Sequence, residues 1–317
     1  MQELKSLNQP GLNYKVISCS HLDEMEQEYF SILQKCNPDK KLFDRYISPL
    51  SFKIPDSIPD ARSIIVIALT SYHSEVCFKY TGLDYILFIP PTYIGYDDTV
   101  EKFLKYVSLD LEPDGYKAVK TELPQKLLAV HSGLAYYGKN NITYIKGLGS
   151  YFQLFSFYTN LPVKEDTWFQ LRMLDRCTKC NACISVCPTG AINNSSFIIN
   201  ARRCITLFNE NENEFPEWIK PQAHNSLIGC MLCQHYCPEN KNVRHKVDQK
   251  IDFTEEETLQ ILNAKVPEEL NIDLRRKVYK LDLIGTHTRF PDFRRNLSIL
   301  LSSGDNKKAR FTTQVFP

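Results

Sequence analysis

No stretch of this 317-residue chain is apolar for long enough to cross a bilayer; the longest apolar run, Ile64 to Leu69, is a fraction of the ~20 residues a spanning helix needs. The opening Met-Gln-Glu-Leu-Lys-Ser lacks the charged and apolar regions of a signal peptide. Charge of one sign is also missing. Lys and Arg total 38 against 37 Asp and Glu, a formal +1, which gives no global attraction to nucleic acid or an anionic membrane. There is no low-complexity tract, and no internal repeat apart from the cysteine motifs. A glycine-rich phosphate fingerprint is lacking, since Gly147-x-Gly149 alone is weak. With 43% apolar and 24% charged residues the composition is that of an ordinary globular protein. A cytoplasmic monomer with no membrane attachment is expected. One local imbalance stands out. From Asp273 onward there are ten Lys or Arg (Arg275, Arg276, Lys277, Lys280, Arg289, Arg294, Arg295, Lys307, Lys308, Arg310) against four Asp, either a solvated basic region or a polyanion contact.

Cysteine, by contrast, is plentiful: eleven residues, eight of them between positions 177 and 237. In a reducing compartment such a set points to metal or redox chemistry in preference to a disulfide scaffold. Cys177-x2-Cys180-x2-Cys183-x3-Cys187-Pro188 matches the bacterial ferredoxin ligand run. Three thiolates at this spacing can wrap one cubane only if the backbone loops around it, and the fourth then serves a second cluster. Pro188 redirects the chain after that fourth cysteine. The second motif is Cys230-x2-Cys233-x3-Cys237-Pro238, with Cys204 upstream. Crossed ligation assigns Cys177, Cys180, Cys183 and Cys237 to the first 4Fe–4S cluster, and Cys187, Cys204, Cys230 and Cys233 to the second. Eight cysteines fill eight positions. The small or polar spacers Thr178, Lys179, Asn181 and Ala182 leave backbone N–H groups free for the cluster sulfurs. Zinc, the rival, favours separated pairs over a four-cysteine run ending in Cys-Pro. Cys19, Cys36 and Cys77 have no partner spacing and read as buried small hydrophobes.

The rest of the pattern is α+β. Helical spacing runs over His21–Lys35, Asp97–Leu109 (with Asp97, Asp98 and Thr99 as capping residues) and Leu123–Ser132. Strands are expected at Ser63–Leu69, Asn141–Ile145 and Tyr151–Tyr158. The acidic stretch Asn209–Glu217 reads as an exposed loop, and Glu255 to Leu301 as a helical closing region.

Taken together with the cysteine motifs, several upstream pieces resemble the epoxyqueuosine reductase family, and more distantly the cobalamin-dependent reductive dehalogenases. They are Ala61-Arg62-Ser63-Ile64-Ile65-Val66, Leu123-Pro124-Gln125-Lys126, and Ala129 through Asn140 (AVHSGLAYYGKN). Gly149-Ser150-Tyr151-Phe152, Ala201-Arg202-Arg203-Cys204 and Arg295-Asn296 complete the set. The resemblance implies a nitroreductase-like mixed α/β domain over 1–165 that holds cobalamin and substrate. A ferredoxin-like double 4Fe–4S domain over 166–245 and a helical C-terminal region over 246–317 would follow. It implies electrons passing from an external ferredoxin- or flavodoxin-type donor through the clusters to cobalamin, and tRNA as a partner. Flavin is the alternative cofactor, because nitroreductase-like domains often hold one.

That resemblance also frames the catalytic candidates. Where the family carries Asp-x-x-Pro, its general acid, this sequence reads Val119-Lys120-Thr121-Glu122-Leu123-Pro124, with no Asp. The family's upstream Arg-Tyr-Ala…Asp-Tyr-His pattern is also missing, so a different substrate, or a non-catalytic electron-transfer role, stands beside the family reaction. Candidate proton donors are Glu122, Tyr136 and Tyr137. Lys139 is a candidate for a phosphate or substrate oxygen, and with Asn140, Gly149, Ser150 and Tyr151 for cofactor contact. Surface exposure for Lys139, turn hydrogen bonds for Asn140 and Ser150, and core packing for the tyrosines are the plain alternatives. His131 reads as a satisfied helix histidine in preference to a cobalt ligand.

Overall fold

The computed structural model describes residues 4–36, 38–211, 214–283 and 289–302. Lys307, Lys308 and Arg310 of the basic region lie outside them. The strands in chain order are β1 (Leu12–Ser18), β2 (Ser63–Thr70), β3 (His73–Tyr80), β4 (Leu83–Ile89), β5 (Ala118–Lys120), β6 (Tyr136–Tyr137), β7 (Thr143–Tyr144), β8 (Phe152–Thr159) and β9 (Val247–Phe253). The helices are α1 (Leu22–Cys36), α2 (Lys40–Tyr46), α3 (Tyr96–Leu111), α4 (Gln125–His131), α5 (Ala182–Val186), α6 (Ile205–Asn211), α7 (Leu232–His235), α8 (Glu255–Asn263), α9 (Ile272–Lys280) and α10 (Phe290–Ser302). They form two compact units. One comprises residues up to Thr70 with Asp97–Cys180, the other Ser71–Tyr96 with Asn181 onward. No helix among the described residues is long and apolar enough to cross a membrane.

The first unit is built on an antiparallel sheet of order β1-β2-β8-β5. Ile64, Ile65, Val66, Ile67 and Ala68 are all buried, because β2 has a strand on each side and cover on both faces. A continuous β-branched run is the sequence such a position requires. Phe103 of α3 packs on Phe155 of β8, their rings 5.3 Å apart. Helix α4 lies against β2 and β8 and buries Leu127 to His131. Asp97 and Asp98, expected as caps, stand inside the first turn of α3, where their charge complements the helix dipole. The strand expected over Asn141–Ile145 shrinks to the two-residue β7, because Asn141 adopts φ 62 to turn the chain back on β6.

The second unit carries a sheet of order β4-β3-β9, with β3–β4 antiparallel and β3–β9 parallel. The β3–β4 hairpin is not among the expected elements, although Thr81 and Gly82 both take positive φ (50 and 74) at its two-residue turn, as the strand twist demands. The parallel pairing with β9 draws Ser71–Tyr96 out of the 1–165 segment and into one core with the closing helices. Phe78 and Phe253 stack at 4.4 Å there, over Leu274, Val278, Phe293 and Leu297. Thr254 and Glu257 start α8 with a reciprocal capping box.

The start of the acidic stretch is not an exposed loop. Asn209 and Glu210 end α6 buried, at 0% and 8% exposure, while Glu214 and Glu217 are exposed. The reason is α10. Asn296 Nδ2 donates to the Asn209 and Leu227 carbonyls, both at 2.8 Å, and Arg295 donates to the Phe208 carbonyl at 2.7 Å. Arg295 also lies 4.0 Å over the Phe215 ring. Replacing Asn296 with Ala leaves two buried carbonyls without their donor, so unfolding stability is expected to fall by about 2 kcal/mol or more. A urea titration measures this; Ser298→Ala, at an exposed position of the same helix, is expected to stay within about 0.5 kcal/mol of the parent.

Candidate functional site

Both cysteine runs fold the same way. Cys183 lies in the one-turn helix α5, which ends at Cys187-Pro188; Cys233 lies in α7, which leads through Tyr236 to Cys237-Pro238. Helices α5 and α7 pack against each other. Proline after each last cysteine stops the helix and sends the chain into a turn. Gly190 follows at φ 64, and the Ala191 N–H points back at the Cys187 sulfur, 3.3 Å away. Arg203 locks this turn by donating to the Thr189 carbonyl at 2.8 Å, its guanidinium over the Trp218 ring at 5.0 Å. Cys204 then closes the short Ala201–Arg203 turn ahead of α6.

Around Cys230 the backbone again needs glycine. Gly229 has φ 63, and a Cβ there would come within 2.7 Å of the Tyr93 hydroxyl. Asn209 Nδ2 donates to the Gly229 carbonyl at 2.7 Å, and Asn225 Nδ2 donates to the Cys230 sulfur at 3.4 Å. Asn240 Nδ2 holds the turn after the second run through the Gln234 carbonyl at 2.8 Å. Burial pushes the Cys230 thiol up to about 12, with neighbouring Cys204 adding to the rise. The Cys204 thiol is raised in the same way, with Cys187 among its neighbours. Cys187, Cys204 and Cys230 thus sit close enough to act on one another electrostatically. The Cys204 and Cys230 thiols, raised in this way, keep their protons at neutral pH until a metal ion displaces them.

All eight cysteines are free thiols. Among the described residues no three His, Cys, Asp or Glu side chains gather around a single-ion position. A cubane asks for something else: four thiolates that bind four different irons, with N–H groups directed at sulfur. The donor set fits it, through the sulfur-directed Ala191 and Asn225 donors and the paired Cys-Pro turns. Of the three remaining cysteines, only Cys19 is fully buried, its thiol pushed up to about 12 by that burial. Cys36 is exposed because it ends α1, and Cys77 on β3 is half-buried, so neither is the core residue expected.

The candidates of the first unit divide. Glu122 is exposed, just ahead of α4. Tyr136 is half-buried, with the Arg172 guanidinium 4.3 Å over its ring; the same guanidinium lies 4.5 Å over Phe169. Tyr137 is buried at 5% exposure, and burial, with Tyr29 and Glu28 nearby, raises its phenol above the ordinary range. Its backbone pairs with Arg172 and Leu174, which leads the chain to Cys177. His131 is a buried helix histidine: Nδ1 meets the Phe169 carbonyl at 2.6 Å, Nε2 lies 2.8 Å from Glu28 at an angle that makes no hydrogen bond, and the ring stacks on Trp168 at 4.2 Å. Trp168 stacks on His21 with its other face, at 4.3 Å.

Lys139 is not a surface lysine. At 3% exposure its amine donates to the Cys180 carbonyl at 3.0 Å. The Gly138-Lys139-Asn140 turn explains its position. Gly138 donates to the Ile142 carbonyl, Asn140 Nδ2 donates to the Tyr144 hydroxyl at 2.9 Å, and a Cβ on Gly138 would strike Tyr144 at 2.5 Å. Ser150 and Tyr151 are buried at 4% and 0%, while Gly149 is buried in the turn that closes on Ile145. Asn140, Gly149, Ser150 and Tyr151 are all buried. Sequence reasoning passes over Arg172, Trp168, Asn225 and Glu28. None carries a motif, and Arg172 and Asn225 are marked only by standing five residues ahead of a ligand cysteine.

Fold and thiols define a double-cluster iron–sulfur protein carried on an α+β frame. Residues 176–240 match the family described as "4Fe-4S double cluster binding domain". The chain is 33% identical to the epoxyqueuosine reductase of Aliivibrio fischeri over 157 residues, covering 49% of this chain and 40% of that one. With the Cellulophaga algicola epoxyqueuosine reductase it shares 27% identity over 269 residues and 81% of both chains. Elsewhere the match spans less of the relative, 64% in Atelocyanobacterium thalassa and 49% in Bacillus subtilis. The chain's fold is similar to that of the Streptococcus thermophilus epoxyqueuosine reductase (TM-score 0.64, 19% identity, 92% of this chain and 77% of that one). An epoxyqueuosine reductase solved with an epoxyqueuosine-modified tRNA stem loop gives the same TM-score, 0.64, at 20% identity over 94% of this chain and 78% of that one. These likenesses bear out the expected architecture, the two 4Fe–4S clusters and the resemblance itself: the chain is similar in sequence and fold to the epoxyqueuosine reductases.

Anaerobically purified protein is expected to hold about eight irons per chain. Cys187→Ala should leave about four, one cluster being lost and the other kept; full iron in that variant would remove Cys187 from the ligand set.

Proposed function

We propose that this protein is an iron–sulfur oxidoreductase of the epoxyqueuosine reductase type, acting in queuosine modification of tRNA. The observation that carries the reading is the match over 81% of both this chain and a known epoxyqueuosine reductase, together with eight thiols in the double-cluster pattern. When bound, the clusters supply single electrons at low potential, drawn from an external ferredoxin- or flavodoxin-type protein. Cobalamin is the further cofactor that the family likeness implies, and flavin the alternative.

The chain's own residues have two tasks: to hold the clusters and to deliver a proton. Release of an epoxide oxygen as water consumes two electrons and two protons, so a donor must stand beside the reacting carbon–oxygen bond. Of the three candidates, Glu122 is exposed and Tyr137 is locked in the core, where burial makes its phenol a weaker acid. Tyr136 remains: half-buried, and held in place by the guanidinium of Arg172 on its ring. We assign it the donor role. Tyr136→Phe is expected to lower kcat on the tRNA substrate about 100-fold or more with KM little changed, while Glu122→Gln stays within about twofold.

A related reductase with another substrate is the second reading, favoured by Glu122 standing near where those relatives carry an acidic general acid, yet facing solvent. Mass spectrometry of tRNA nucleosides from a deletion strain decides between them. Accumulated epoxyqueuosine is expected; unchanged queuosine would leave only the second reading. Cob(II)alamin added at tens of micromolar should shift its visible spectrum on binding, and no shift would count against the cofactor.

A further inference from the structure

We propose that Lys139 is a charge-positioning residue that raises the reduction potential of the first cluster, the one assigned to Cys180. An ammonium at 3% exposure has given up most of its hydration, so its position has to be enforced by the fold. Here the enforcement is specific. Gly138 leaves no room for a side chain between Tyr144 and Asn140, Asn140 is tied to Tyr144, and Asn141 turns back at φ 62 under Lys126, whose amine bonds both its carbonyl and its side-chain oxygen. The turn spends these contacts on carrying one lysine inward. Its amine reaches a carbonyl 41 residues later in the chain, and that carbonyl belongs to a cluster ligand.

Reduction places one additional electron on a cubane whose thiolates are already anionic. A fixed positive charge in a low-dielectric setting a few covalent bonds from a ligand sulfur stabilises the added charge, and more so because water cannot screen it. Removing that charge lowers the potential whatever other contacts the amine makes. The second cluster has a different local device, the N–H groups of Ala191 and Asn225 directed at Cys187 and Cys230. Lys139 is fixed on the ligand loop of the first cluster, and there it sets how readily electrons settle on that cluster.

The inference rests on the two clusters and not on the identity of the substrate, so the tRNA assay and the following one fail separately. Full-length protein, with iron content confirmed, is titrated with dithionite, and each cluster's midpoint is followed by electron paramagnetic resonance. Lys139→Met and Lys139→Gln are expected to lower one midpoint by the equivalent of about tenfold in the reduced-to-oxidised ratio, about 59 mV for a one-electron couple. The other midpoint should stay in place. Lys139→Gln keeps a donor for the Cys180 carbonyl without the charge, and Lys139→Arg restores the charge and with it the parent midpoint. Unmoved midpoints in iron-replete neutral variants, or equal movement of both, would overturn the proposal. So would loss of a cluster in both neutral variants, since the lysine would then be a tether for the loop.

Discussion

Holding a cubane requires backbone that is in regular structure for no more than about a turn at a time. Each ligand loop must turn its N–H groups toward sulfur, so it cannot offer them to a helix or sheet ladder and has to be fixed by other means. In this protein those means are side chains reaching backbone carbonyls from a distance. Arg203 takes Thr189, Asn209 takes Gly229, Asn240 takes Gln234, and Asn296 takes Asn209 and Leu227. Buried asparagine and arginine suit the task, because each can satisfy a carbonyl that has no strand or helix partner. The closing helix α10 thereby belongs to the cluster segment's support as much as to the apolar core that its other residues complete.

The same logic runs through the first unit. The chain from Asp166 to Leu174 is pinned before it becomes the first cysteine run. His21 meets Asp166 at 2.7 Å, Trp168 lies between two histidine rings, Phe169 pairs with the His131 carbonyl, and Arg172 is gripped between Tyr136 and Phe169. Gly133 is needed beneath this strap, since a Cβ there would meet the Phe169 ring at 2.5 Å. Reactive and supporting roles are thus mixed along one short segment. Tyr136 is a neighbour of the strap by its side chain and Tyr137 by its backbone, and only the former keeps access to solvent.

How much of this could be read in advance differs from residue to residue. The cysteine runs are local: spacing, proline and count fixed their chemistry because a cubane imposes its own dimensions on the chain around it. Strand β2 was legible for a related reason, a run with no polar residue to place outward. The β3–β4 hairpin was passed over although Glu75, Cys77 and Lys79 alternate with buried Val76 and Phe78, and its parallel partner β9 lies some 170 residues away, where no local pattern announces it. Asn209 was misread as loop because its carbonyl is taken by α10, more than 80 residues later, and Glu210 because it meets the Tyr93 hydroxyl, more than 100 residues earlier.

The sequence by itself determined that this protein carries two iron–sulfur clusters on an α+β frame similar to that of the epoxyqueuosine reductases. Ligand spacing and strand hydrophobicity are short-range properties, and a chain cannot hide them. Only the tertiary structure decided that Lys139 is an interior cation on a ligand's carbonyl, that Glu122 faces water, and that Arg172 holds Tyr136. Those are facts about desolvation and long-range contact, and they exist only once segments far apart in sequence have packed together.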